Sequence, residues 1–274
     1  IEDYAFLINA INDLSDKTMN FKYKDLAKKL SQEAISKFFI EDKKIFQKNP
    51  KNNDDIFFKP IDIGDNPNEG IKNCDVVIDF SLRDGTLQIA ELAQSFEKPI
   101  VIGTTGHTKD ERKLIEEISN NVPMVWAGNF STGVNLLFFL TQQAAKVLGP
   151  ESDFDPEIVE MHHRFKKDAP SGTADRLLEI ILQSRNSSEQ EISHGRQGIP
   201  GERKPNEVGS HAVRGGDIVG EHTVLFAGMG ERIELTHRAT DRIIFASGAL
   251  KAANWVVSKQ PGLYSMQDVL GLTA

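Results

Sequence analysis

The segment running from Glu160 to Ala174 reads Glu-Met-His-His-Arg-Phe-Lys-Lys-Asp-Ala-Pro-Ser-Gly-Thr-Ala, and it packs two histidines and three cations between His162 and Lys167. Side chains alternate in an extended chain, so His162, Arg164 and Lys166 share one face and His163 the other for as long as the strand lasts. Pro170-Ser171-Gly172-Thr173 then opens a helix, with Ser171 or Thr173 able to cap it. The unpaired amides of a first helical turn, backed by the helix dipole, attract anions. A cationic strip facing such a turn suits a small carboxylate, and a histidine beside it can exchange protons near neutral pH. The plainer alternative is a solvated basic strip next to an ordinary capped helix. Paired histidines also ligate metals, but no partner set stands at ligand spacing, so no metal is expected.

A second group of polar residues closes three short apolar runs. Ser81 ends Asp75–Ser81, Thr104-Thr105 follow Pro99–Gly103, and Asn129-Phe130-Ser131 follow Pro123–Ala127. Open parallel sheets bind ligands outside the carboxyl ends of their strands. Gly103, Gly106 and Gly128 would allow close approach to the backbone. Turn residues would also look like this. Further on, Arg214-Gly-Gly-Asp-Ile-Val-Gly-Glu-His-Thr223 reads as a turn entering a strand. His211, His222 and His237 are expected on or beside that sheet as structural histidines. Cys74 precedes a strand, has no adjacent base and is also expected to be structural.

The elements that position these residues follow from periodicity. Between residues 75 and 148 the three apolar runs alternate with helical patterns at Thr86–Phe96, Lys109–Ser119 and Gly133–Leu148, which predicts βαβ units and a parallel sheet. The second half differs. Strands are expected at Glu157–His162, Gly220–Phe226 and Arg232–His237, with Gly228-Met-Gly230 as a turn. Helices are expected from Ser171 to about Ser184 and over Thr240–Val257, and Gln190–Arg214 reads as polar and Gly-rich. The fold class is therefore α/β: a Rossmann-like parallel-sheet N-terminal domain plus an α+β C-terminal domain on a mostly antiparallel sheet. Before this, residues 1–45 read as helical, Lys48–Asp55 as a loop, Ile56–Ile63 as a short strand and Gly64–Pro67 as a turn. The expected domains are 1–131, atypical over 1–60, then 132–241, with 242–274 returning to the first domain.

At 274 residues and 39% apolar content the chain can fill a sizeable core. A net charge of −8 does not fit a nucleic-acid surface. A single cysteine excludes an intrachain disulfide. No apolar run approaches the roughly 18 residues that span a bilayer. The start shows no signal-peptide pattern, so a cytoplasmic location is expected.

Taken together, the motifs resemble those of the 4-hydroxy-tetrahydrodipicolinate reductase family over about residues 71–272. The matching pieces are Asp75–Ser81, Val101–Gly106, Ala127–Asn135, His162–Thr173, Gly201-Glu-Arg203, Arg214–His222 and Glu231–His237. The run His-His-Arg-x-Lys-x-Asp-Ala-Pro-Ser-Gly-Thr is highly specific. The resemblance implies reduction of a cyclic dicarboxylate with NADH or NADPH in lysine and diaminopimelate synthesis, without metal, by a homotetramer joined through its C-terminal sheets. It implies His162 as the acid/base residue and Lys166 as proton donor, with His163, Gly172 and Thr173 on the substrate. Gly103, Thr104, Thr105, Ala127, Gly128, Asn129 and Phe130 would contact the cofactor. One family feature is missing: the opening strand and its Gly-x-x-Gly-Arg-Met-Gly loop, which cradles pyrophosphate. Here the first glycine is Gly64. Three readings stay open: an altered start, a substitute fold, or a non-catalytic dicarboxylate-binding homologue that has lost the cofactor. A semialdehyde dehydrogenase, which works through a cysteine thioester, is a further alternative.

Overall fold

The computed structural model describes residues 22–40, 45–46, 67–186, 188 and 191–272. The chain divides into two compact units, Ile1–Cys74 and Asp75–Ala274. In the first, helix α1 (Lys22–Phe38) runs into strand β1 (Phe39–Ile40), which pairs antiparallel with β2 (Ile45–Phe46); helix α2 (Pro67–Asn73) follows. The helical reading of 1–45 thus holds over 22–38 and fails at Phe39, where an aromatic and β-branched pair favours a strand. Pro67 begins a helix rather than ending a turn, as suits its fixed φ and missing N–H. The helical expectation for 1–21, the loop at Lys48–Asp55 and the strand at Ile56–Ile63 lie outside the described residues. Cys74 donates its thiol to the carbonyl of Ile71.

The second unit holds two sheets. Strands β3 (Val77–Asp79), β4 (Ile100–Ile102) and β5 (Pro123–Trp126) are parallel, and β11 (Gly262–Tyr264) joins them, in the order β11-β5-β4-β3. Ile100, Val101 and Ile102 are fully buried, as expected for a strand covered on both faces. Helices α3 (Arg83–Ser95) and α7 (Ile243–Val256) pack on this sheet, and α4 (Lys109–Ile118) packs on α3. A capping box between Thr108 and Glu111 starts α4. Short helix α8 (Met266–Leu270) ends the fold. Neither β11 nor α8 is evident from periodicity, because three and five residues are too few to show a repeat.

The other sheet has the order β10-β9-β6-β8-β7, formed by β6 (Asp155–His162), β7 (Ile192–His194), β8 (Val208–Arg214), β9 (Gly220–Ala227) and β10 (Arg232–Ala239). Pairing is antiparallel across β10, β9 and β6, and β8 and β7 add parallel on the far side. Strands β7 and β8 lie inside the stretch read as polar and Gly-rich. Parallel pairing to β6 creates β8 despite weak intrinsic strand signals in Gly209, Ser210 and His211, and β7 pairs in turn with β8.

One face of this sheet carries the core. Helices α5 (Thr132–Val147) and α6 (Gly172–Arg185) bury Val134, Leu137, Phe138, Leu177, Leu178 and Ile181 against Ile158, Val208, Val224 and Phe226. Burial alternates strictly along β9 and inward residues recur at every second position of β6, so Pro156, Ile158, Glu160 and His162 all point to the helix side. A carboxylate and an imidazole thereby continue an apolar row.

Helix α7 sits hard against the loop after β5. A methyl group on Gly248 would fall 1.8 Å from the carbonyl oxygen of Phe130. Gly248→Ala should therefore force the helix outward and destabilise the protein by about 1–3 kcal/mol, read as a lower urea midpoint. An unchanged midpoint would show that α7 does not rest on that carbonyl.

Candidate active site

The site is built where β6 ends and α6 begins. Strand β6 stops at His162. The chain then turns, with the amide of Lys166 donating to the carbonyl of His163. The alternation that would have aligned Arg164 and Lys166 with His162 thus ends at the strand. Lys166 pairs instead with Asp168, at 2.7 Å. Arg164 and Lys167 are exposed.

Ser171, one of the two capping residues considered, is the N-cap of α6: its hydroxyl oxygen accepts from the amide of Ala174 at 3.2 Å. Its own amide donates to Glu160 Oε1 at 3.2 Å. Of the donors that a helix start leaves unpaired, the amides of Gly172 and Thr173 remain for a ligand. A methyl group added at Gly172 would meet nothing within 4 Å, so this turn faces open space.

Beneath the turn lies a buried polar cluster. Glu160 is fully buried; Arg214 donates to both of its oxygens, at 2.7 and 2.9 Å, and His162 Nδ1 lies 2.5 Å from Oε2. Burial pushes the Glu160 carboxyl up, but the bonds from Arg214 and His162 outweigh it and leave the pKa below the ordinary carboxylate range. Burial pushes His162 down, and Glu160 only partly restores it. His162 is therefore mainly neutral at pH 7, with an acceptor available on Nε2.

His222 crosses the His162 ring edge-on, with centroids 5.1 Å apart, and its Nε2 lies 3.0 Å from the Ser171 hydroxyl. The Ser171 oxygen accepts from Ala174 and keeps a second lone pair, so the bond to His222 can run in either direction, according to the His222 tautomer. His222 is thus part of the site rather than a bystander on the sheet. His211, by contrast, bonds Glu157, and His237 fills the space above Gly133 at the start of α5.

Glu160, Arg214, Ser171 and His222 escaped the sequence reading as members of one network. The legible signal was Glu160 itself, an acid at an inward position of an alternating strand. Glu160, His162 and His222 place donor atoms within 4.8 Å of one another, a spacing that a divalent cation could use. Both Glu160 oxygens are already held by the Arg214 guanidinium, whose charge opposes a second cation there. The cluster is better described as a hydrogen-bonded network.

The other expected residues lie at the carboxyl ends of the parallel strands. Thr105 and Gly128 are exposed, while Gly103, Ala127 and Asn129 are half-buried. Thr104 is buried, and its one hydroxyl proton is shared between the buried Asp79 carboxylate at 3.2 Å and the Ser81 carbonyl at 3.1 Å. Phe130 is buried, its ring 5.4 Å from that of Phe80. These two side chains organise the edge from within, leaving backbone, Thr105 and Asn129 to face outward. Asn129 reaches across to the other sheet's helix: its amide donates to the Thr173 hydroxyl at 3.2 Å. This bond joins the two groups of residues. A methyl group at Gly106 would meet nothing within 4 Å and Gly128 is exposed, so the backbone is open at both positions. Among the described residues no Gly-rich loop opens a helix to take the pyrophosphate.

Burial holds His222 down at about 4, against an ordinary value of 6.5. In the unfolded chain it takes a proton first, so stability is complete above pH 6.5 and drains as pH falls toward 4. The expected loss is about 3 kcal/mol. Urea titrations from pH 7 to 4 should show this slope in the parent protein and a shallower one in His222→Gln. Parallel curves would mean that His222 is not buried neutral.

Comparison with known proteins agrees with this architecture. The family model described as dihydrodipicolinate reductase, N-terminus, matches residues 27–130, and that described as dihydrodipicolinate reductase, C-terminus, matches residues 133–270. The first match begins well before residue 71, where the recognisable motifs start. The chain is 50% identical over 204 residues to 4-hydroxy-tetrahydrodipicolinate reductase of Akkermansia muciniphila, covering 74% of this chain and 82% of that one. It is 51% identical over 211 residues to the enzyme of the same name from Geobacter sulfurreducens, covering 77% and 79%. A solved structure, dipicolinate-bound dihydrodipicolinate reductase from Paenisporosarcina sp. TG-14, superposes with a TM-score of 0.58 at 28% identity, over 71% of this chain and 72% of that one. With both halves matched in order, and relatives half identical over most of their length, the chain belongs to the dihydrodipicolinate reductase family.

Proposed function

We propose that the protein catalyses the NAD(P)H-dependent reduction of 4-hydroxy-tetrahydrodipicolinate to tetrahydrodipicolinate, in lysine and diaminopimelate synthesis. What supports this reading is the pair of open amides, Gly172 and Thr173, on a helix start whose cap Ser171 is joined through Glu160 to His162, with Asn129 tying that start to the carboxyl edge of the parallel sheet. A nicotinamide cofactor, when bound, supplies the hydride. Gly103, Thr104, Thr105, Ala127, Gly128, Asn129 and Phe130 would form its site, the buried pair by shaping the edge.

The rest of the chemistry falls to the protein. The amides of Gly172 and Thr173 and the side chain of His163 bind carboxylate. Lys166 offsets the substrate's negative charge and donates a proton as charge builds on the ring. His162 moves a proton through Nε2. We further propose a cytoplasmic homotetramer, joined through the outward face of the five-stranded sheet, where Val159, Met161 and Leu225 are only half-buried. The working division is a dinucleotide domain over 1–131, a substrate domain over 132–241 and a returning segment over 242–274.

The missing glycine loop favours one rival, a dicarboxylate-binding homologue without cofactor. Fluorescence titration with NADH and NADPH separates the two: micromolar binding is expected of the enzyme, and no binding up to millimolar concentration supports the relic. Within the enzyme, His162→Ala should lower kcat about 100-fold or more with KM little changed, because its role is proton transfer. Lys166→Ala should damage both kcat and KM, since one cation serves two tasks. Unchanged turnover in His162→Ala would remove that residue from the mechanism, and a defect confined to one constant in Lys166→Ala would contradict its dual role.

A further inference from the structure

We infer that Glu160 is a positioning residue for His162, fixing its tautomer and aiming Nε2 at the reacting centre, and that Arg214 is the clamp that keeps Glu160 in that role. The inference rests on the proposed part of His162 in proton transfer and extends it to residues that do not touch the substrate.

The argument is one of hydrogen-bond accounting. Oε1 of Glu160 accepts from the Ser171 amide at 3.2 Å and from Arg214 at 2.7 Å. Oε2 accepts from Arg214 at 2.9 Å and faces His162 Nδ1 at 2.5 Å. An ionised carboxylate only accepts, so Nδ1 must carry the proton. Nε2 is then left with its lone pair. It lies above Gly220, where an added methyl group would stand 3.1 Å away. Any side chain at position 220 would press on the nitrogen that has to receive or release the proton.

The charges around the ring come from four directions. Glu160 lies beside it on β6, Arg214 reaches in from β8, His222 crosses it from β9, and Lys166 stands in the turn with Asp168 paired to it. Arg214 also donates to the backbone carbonyl of Asp168 at 2.8 Å, tying the clamp to the same turn. Because the guanidinium neutralises Glu160, the carboxylate aligns the imidazole without making it a permanent cation. When Nε2 takes up a proton, the same carboxylate stabilises the imidazolium.

The test is Glu160→Gln in the full-length chain, read in three ways. Nitrogen-15 shifts of labelled histidine should show His162 protonated on Nδ1 in the parent and a mixture of tautomers in the variant. The value of kcat should fall roughly tenfold or more, while KM and the affinity for pyridine-2,6-dicarboxylate change little. The ionisation assigned to His162 in the pH–rate profile should move down, because the group that favours its protonated form is gone. If Glu160→Gln fails to fold, Arg214→Lys carries the test: it keeps the charge, breaks the two-pronged grip and should shift the same quantities less far. An unchanged tautomer with an unchanged pH profile would overturn the inference, since a merely structural carboxylate would alter stability alone. Were His162→Ala fully active, the proton-transfer reading would fall while the nitrogen shifts still reported on Glu160, so the two failures are distinguishable.

Discussion

A fully buried carboxylate, Glu160, holds the candidate site together. Its burial is tolerable only because Arg214 grips both oxygens and two N–H groups complete its shell. Each partner belongs to a different element: His162 to the end of β6, Arg214 to the end of β8, Ser171 to the cap of α6. The charge that must be satisfied is also the point where three chain segments are brought into register. Loss of one partner would leave a buried charge unpaired, so the network constrains the fold as much as the chemistry.

From that constraint the surrounding geometry follows. Fixing the Ser171 amide on Glu160 sets where α6 starts, and therefore where the free amides of Gly172 and Thr173 face. Fixing Nδ1 of His162 sets where Nε2 points. Asn129 then couples this assembly to the edge of the parallel sheet through Thr173. The proposed dicarboxylate site and the proposed cofactor edge are linked by a hydrogen bond between side chains beyond the strand ends, where loop residues are free to specialise while the sheets stay rigid.

Much of this was legible in the residues. The alternation of apolar runs and helical patterns gave the parallel sheet, and Ser171 announced the helix that it caps. The basic strip at His162–Lys167 marked the site, although the strand ends before its cations can line up. Two kinds of feature were hidden. Strands β7 and β8 carry polar and small residues with little preference for extended structure, such as Ser193, Gly209 and Ser210; β8 is made a strand by pairing with β6, and β7 by pairing with β8. The bond between Glu160 and Arg214 joins residues 54 apart in the chain, and only the parallel register of β6 and β8, which sets His162 beside Arg214, brings them together. Periodicity reports which face a residue occupies, but not which residue on a neighbouring strand it will meet. His222 was read as structural for the same reason: its partner on β6 is fixed by register alone.

The most direct measurement is a crystal structure of the protein with pyridine-2,6-dicarboxylate. The account predicts one carboxylate on the amides of Gly172 and Thr173, the ring within reach of His162 and Lys166, and the bonds between Glu160, His162 and Arg214 intact. A ligand bound elsewhere, or a His162 ring turned away from Glu160 in the complex, would contradict it.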